Sequence, residues 1–187
     1  MKPMTTLHLN LTCDATRRFL LADLRGRLDD AARGALDAAV EAAGVPERHC
    51  HDLPDVLAVI DGLAASARVK DDMRAVYRIL AEAEASVHGC AVDETHFHEV
   101  GNGEAVRNVA AVCLAVEALA PDRITATPVQ MGSGTVVCAH GELPIPAPAT
   151  AAILDSGIPV CAERLDGERC TPTSAALIKH FVDAFDA

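Results

Sequence analysis

Apolar residues recur at steps of three and four from Arg68 to His88: Val69, Met73, Val76, Leu80, Ala83 and Val87, with charges between them. That spacing predicts an amphipathic helix with one buried face, and Gly89 is a natural stop. Ala15 to Arg25 and Leu28 to Ala43 read as two further helices, the second ended by Gly44-Val45-Pro46. Leu53 to Ala65 follows, with Asp52 placed to cap it and Pro54 in its first turn. Glu104 to Leu119 is apolar nearly all round, which predicts a helix covered on several sides.

Alternating positions mark the strands. Thr6 to Leu11, Glu94 to Val100, Arg123 to Val129, Thr135 to Ala139 and Ile158 to Cys161 are the expected ones. Between them, Leu143-Pro144-Ile145-Pro146-Ala147-Pro148 sets three prolines at alternate positions, predicting an extended, non-pairing edge that could wall a pocket. Ala149 to Asp155 is a short helix, and Cys170-Thr171-Pro172-Thr173 opens a last one running through Ala175 to Ala184. No linker or repeat interrupts this order. The expected architecture is one mixed α/β (α+β) domain over residues 1–187, a small sheet flanked by helices.

Half of the residues are hydrophobic, ample for a core, yet Trp is absent and Tyr77 is the single tyrosine. The net charge of −11 argues against nucleic acid or an anionic membrane as partner, because phosphate binding needs basic clusters. Seven cysteines without a Cys-x-x-Cys pair form neither a disulfide framework nor a zinc knuckle. Most of them read as small buried hydrophobes of a reducing cytoplasm. The start of the chain has no signal-like apolar stretch, and Val109 to Val116 is too short to span a bilayer. A cytoplasmic protein is expected.

Within that frame, the run His96-Phe97-His98-Glu99-Val100-Gly101 carries the most chemistry. On an extended backbone His96 and His98 project to one face, and paired imidazoles suit nickel, zinc, copper or iron. Glu99 points to the opposite face unless the chain turns, which Gly101 allows. Gly101-Asn102-Gly103 also leaves backbone N–H groups that could meet an anion. Three later features are further candidates. Gly132-Ser133-Gly134 permits close backbone approach to a phosphate, though an ordinary glycine turn explains it as well. Cys138-Ala139-His140 could supply a metal ligand or an acid–base group. Thr171-Pro172-Thr173-Ser174 is good helix-start chemistry that leaves hydroxyls at the positive end of a helix.

Together, the stretches Ala81 to Glu84, Val87 to Gly89, His96 to Gly101, Gly132 to Gly134, Ala139 to Gly141, Leu143 to Thr150 and Thr171 to Thr173 resemble the LarC family. These are the nickel insertion proteins of nickel-pincer nucleotide biosynthesis. The likeness is closest over residues 55–177, about two thirds of the chain. It implies a cyclometallation: nickel is placed into a pyridinium mononucleotide carrying two thiocarboxylates, with hydrolysis of CTP. On that resemblance His96, His98 and Glu99 are the expected metal ligands, with another divalent metal as an alternative to nickel. Glu99 and His140 are the expected acid–base groups, and Gly132, Ser133, Gly134, Thr171 and Thr173 the contacts to the mononucleotide phosphate.

The chain also departs from the family pattern. A Gly-Ile-Ser-Gly-Asp-Met-like turn is replaced by Asn10 to Arg18, which has no glycine and ends in Arg17-Arg18. After Gly101, two expected acids become Glu104 and Asn108. The family's second half, which handles CTP, has no counterpart here and is expected on a separate polypeptide. The alternative is a non-catalytic paralogue, a metal or nucleotide carrier or partner subunit, in which Arg17 and Arg18 hold a phosphate. Pairing of apolar helices makes a homo-oligomer a further expectation.

Overall fold

The computed structural model describes residues 4–138 and 141–186. Its elements, in chain order, begin with β1 (Thr6–Leu9), α1 (Arg17–Gly26), α2 (Asp30–Ala42), α3 (Leu53–Gly62) and α4 (Ala67–His88). Next come α5 (Gly103–Leu119), β2 (Arg123–Ala126), β3 (Gly132–Ser133), β4 (Thr135–Cys138) and β5 (Gly141–Pro144). The last are α6 (Pro148–Leu154), β6 (Gly167–Glu168), α7 (Pro172–Phe181) and β7 (Ala184–Phe185).

The helices start where the chain supplies a side-chain acceptor for an otherwise unpaired N–H. Thr16, Asp29, Asp52, Ser66, Asn102 and Thr171 accept from the third residue beyond each of them. Among the described α-helices, α6 alone lacks such a cap, and there Pro148 occupies the first turn, where no N–H is needed. At its far end α4 stops at Gly89 in the left-handed region, φ 66°.

Packing follows the patterning. Val69, Met73, Val76, Tyr77 and Leu80 of α4 are fully buried, and Val106, Val109, Cys113 and Ala115 of α5 are equally so. Helix α5 runs through the middle, against α1, α2, α4 and α7, while α4 also meets α3 and α6. Strands β1, β2 and β7 form a parallel sheet with β2 in the centre. Its inner face (Leu7, Leu9, Ile124) meets α1, α5 and α7 around a small apolar gap. The opposite face is polar, with His8 and Thr125 hydrogen-bonded at 3.0 Å. Hydrophobic residues from all of these elements join in one core. The mixed α/β class is therefore as expected, with helices on one side of a small sheet.

Several elements differ from their sequence expectation. Residues 94–100 are not a strand: a 3-10 turn at Val92–Glu94 leads to a single bridge between His96 and Asp52, and then the chain turns. The cause is Gly101, where a Cβ would lie 2.0 Å from the Cys50 carbonyl oxygen; the chain must bend to let the two backbones meet. The proline run is partly paired, since Leu143 and Pro144 face Val136 and Thr135 in the β4–β5 hairpin. An edge position makes the missing proline N–H harmless there. Residues 158–161 shrink to one bridge, Val129 to Val160. Helix α7 ends at Phe181, because Asp183 N–H bonds to the Ile124 carbonyl at 2.8 Å and draws the chain into the sheet. Of the seven cysteines, only Cys50, Cys113 and Cys170 are buried.

Candidate functional site

Three anchors hold the histidine run in place. Phe97 N–H donates to the His51 carbonyl at 2.8 Å, and the His49 ring nitrogen meets the Phe97 carbonyl at 2.7 Å. The Tyr77 hydroxyl, buried, donates to the Val100 carbonyl at 3.0 Å. After that anchor the chain turns: Asn102 donates from its side chain to the Glu99 carbonyl at 2.7 Å while its Oδ1 caps α5. Gly103 is a second close approach, where a Cβ would stand 2.5 Å from the Pro46 carbonyl oxygen. The glycines around Asn102 are thus explained by backbone contact with residues 46–50.

This turn brings His98 and Glu99 to the same side. Both line a cavity of about 430 Å³, a size suited to a small-molecule ligand. The end of α4 contributes Glu84, Val87 and His88, the last paired with Glu84 at 3.6 Å. Val136, Val137, Cys138 and Leu143 of the hairpin form the facing wall. Ala147, Pro148 and Ala149 continue that wall from the proline run, as its stiffness suggests. Glu168, Thr171 and Thr173 close one end, and Arg17 of α1 also reaches it.

Glu168 was not singled out by sequence, and it changes the electrostatics. Burial raises its pKa, and the nearby Glu99 carboxylate raises it further. Its seat is built by the glycine turn. Gly132 pairs with Glu168 across β3–β6, and a Cβ at Gly132 would lie 1.9 Å from the Gly167 carbonyl oxygen. Buried Gln130 locks that arrangement: its Oε1 accepts from Gly132 and Leu165, and its Nε2 donates to the Glu163 carbonyl at 3.0 Å. The glycine run therefore positions the β6 strand that carries an acid.

The expected site residues fall into three groups. His98, Glu99, Thr171 and Thr173 line the one cavity. His96, Gly132, Ser133 and Gly134 are not among its lining residues. His140 lies outside the described residues. At α7, the Ser174 hydroxyl accepts from Thr171 N–H at 2.8 Å, so it is committed to the cap, while Thr173 is free of that duty. Asn10, in the altered segment, is turned upon itself: its Oδ1 accepts from the N–H and hydroxyl of Thr12. Among the described residues no group of three or more His, Cys, Asp and Glu is arranged to hold a metal ion. The cavity instead gathers two imidazoles, His88 and His98, and the carboxylates Glu84, Glu99 and Glu168, a donor set that suits a metal whose other donors come with a ligand.

Residues 10–187 match the family model described as nickel insertion protein. Among curated relatives, one from Pelobacter propionicus is 48% identical over 125 residues, 65% of this chain and 32% of its own length. A relative from Geotalea daltonii is 41% identical over 140 residues, 75% of this chain and 35% of its own. One from Roseiflexus castenholzii is 41% identical over 148 residues, 78% of this chain and 38% of its own. Each is named as a candidate nickel insertion protein. The chain spans about a third of the length of these relatives. No solved structure matches it. No helix among the described residues is long and apolar enough to cross a membrane. With the family model covering nearly the whole chain, the chain belongs to the nickel insertion protein family.

Proposed function

We propose that this chain forms the substrate-holding part of a nickel insertase, acting on a pyridinium mononucleotide that carries two thiocarboxylates. The observation that supports this most is the meeting of His98, Glu99 and Glu168 in one cavity, beside Thr171 and Thr173. Nickel is cargo in this reading, so an incomplete protein ligand set is suitable. His98 and Glu99 would present the ion, and the soft sulfur donors would come from the substrate. His96, which does not line the cavity, is left out of this assignment.

Forming a metal–carbon bond requires a ring carbon to lose its proton. Glu168, held toward its protonated form by burial and by Glu99, is suited to keep that proton once taken. Thr171 and Thr173 would meet polar groups of the nucleotide at the start of α7. CTP hydrolysis would fall to the part of the relatives' length that this chain does not span.

Purified protein loaded anaerobically with nickel and desalted tests the metal assignment by elemental analysis. Wild type should retain nickel, and the double variant His98→Ala/Glu99→Ala should lose most of it, while His96→Ala keeps it. Equal nickel in wild type and the double variant would sink the assignment. Insertion itself is read in an anaerobic assay with the bisthiocarboxylated mononucleotide, with and without a CTP-binding partner. A second reading, a carrier without turnover, has one observation in its favour. The altered segment presents Arg17 to the cavity in place of the expected acids, while Asn10 is occupied by Thr12. Binding of the mononucleotide with no insertion under any partner condition would select it.

A further inference from the structure

A second hollow, of about 610 Å³, lies between α1, α2 and α5, and Arg17, Arg18, Arg25 and Arg33 all line it. Only 16 residues of the chain are Lys or Arg and its net charge is −11, so a quarter of its cations gather in one place. Like charges held together repel unless counter-charge is supplied. Three of the four have protein partners. Arg17 pairs with Glu104 at 3.4 Å, Arg33 with Asp30 at 3.0 Å, and Arg25 makes a two-pronged pair with Asp37. Arg18 is exposed and makes no side-chain hydrogen bond or ion pair among the described residues. In addition, the Nε of Arg33 is covered and has no acceptor. A covered donor without an acceptor is a cost that native structures normally avoid.

The geometry points to an anion site: we propose that this hollow holds a phosphate group, with Arg18 as the main contact and Arg33 and Arg17 beside it. Guanidinium groups suit phosphate because their planar forks can donate two parallel hydrogen bonds. Asn108, which also lines the hollow, adds an amide donor. Arg17 lines both this hollow and the main cavity, so the two adjoin at its side chain. The inference rests on the nickel-insertion reading for the ligand's identity: the phosphate would be that of the pyridinium mononucleotide.

The test is a titration of the whole chain with inorganic phosphate, then with nicotinamide mononucleotide, followed by NMR at the arginine Nε–H signals. Saturable shifts are expected at the Arg17 and Arg33 signals. Arg18→Ala should weaken both ligands by about tenfold, the loss of one charge-assisted contact. Arg18→Lys should restore part of the affinity through charge alone. Arg68→Ala, an exposed arginine outside the hollow, should change nothing. Absence of saturable shifts, or equal weakening by Arg68→Ala, overturns the site. So does binding of an acidic peptide but not of phosphate. Nickel content measured on the same samples separates the two ideas. Persisting phosphate shifts with no nickel retained remove the insertion reading, and retained nickel without shifts removes the anion site.

Discussion

Glu168 and Glu99 line the same cavity, and burial together with the nearby Glu99 raises the pKa of Glu168. A carboxyl whose pKa is raised on folding favours the folded state at low pH. That contribution is lost as pH rises through the raised value. Glu168→Gln removes the titration while keeping the shape. The variant should gain in thermal midpoint relative to wild type as pH rises from below the ordinary carboxyl range to neutrality. The gap should close again in acid. A gap that does not vary with pH in thermal melts would show that Glu168 titrates no differently in the folded chain. Cys170, directly before the α7 cap, is pushed up to about 12 by burial. It is thus a packing residue beside the site, with no thiolate to offer at neutral pH.

At the scale of elements, the glycine turn and the β6 strand form one device. Gly132 has φ +86° and no room for a Cβ, with backbone atoms of Gly167 and Arg169 in the way. Gly132→Ala should therefore cost about 3 kcal/mol, combining the left-handed backbone with overpacking against a main chain that cannot move aside. Denaturant unfolding measures this, and a loss below about 0.5 kcal/mol would contradict the tight pairing of β3 and β6. This device also shows where sequence reading stops. Helices α2, α4 and α5 were legible because their caps and periodicity are local, lying within a few residues of each other. The β3–β6 and β2–β7 pairs were not, being two residues long and joined by partners far along the chain. Glu168 was hidden for the same reason. It lies in a polar stretch, Glu163 to Arg169, and its burial comes from a partner near residue 132. The histidine run was legible as chemistry but not as a shape. Its turn is imposed by contact of Gly101 with Cys50, which no alternation pattern records.

Taken whole, the molecule has one continuous core, from Leu7 and Leu9 on the sheet to Val56 and Ile60 of α3. Tyr77 sits fully buried within it and is the only tyrosine in a chain without tryptophan. Its fluorescence therefore reports the core without background. On equilibrium unfolding, Tyr77 emission and the far-UV helical signal should change together in a single transition. Two separated midpoints would show that α4 and its neighbours unfold apart from the sheet. The same core explains why the cavity lies where it does. It opens at the ends of α4 and at the starts of α5, α6 and α7, where helix termini meet and regular packing stops.

The parallel sheet has a further consequence, which concerns time. Its central strand β2 joins β1 through residues 117 positions apart, as for His8 and Thr125. On the other side it takes β7, reached through the Asp183 carboxylate, 59 positions from Ile124. Both pairings close long loops, whose entropy is lost before any contact is gained. The helices between them need only local contacts and form in about microseconds. The order expected during refolding is therefore helices first and sheet last, which stopped-flow far-UV and Tyr77 signals would check. In that interval Leu7, Leu9 and Ile124 are uncovered, and the unpaired edges of β1 and β2 are open to other chains. Aggregation during production would begin at this sheet, far from the cavity, and cooling or dilution during refolding is the remedy the topology suggests.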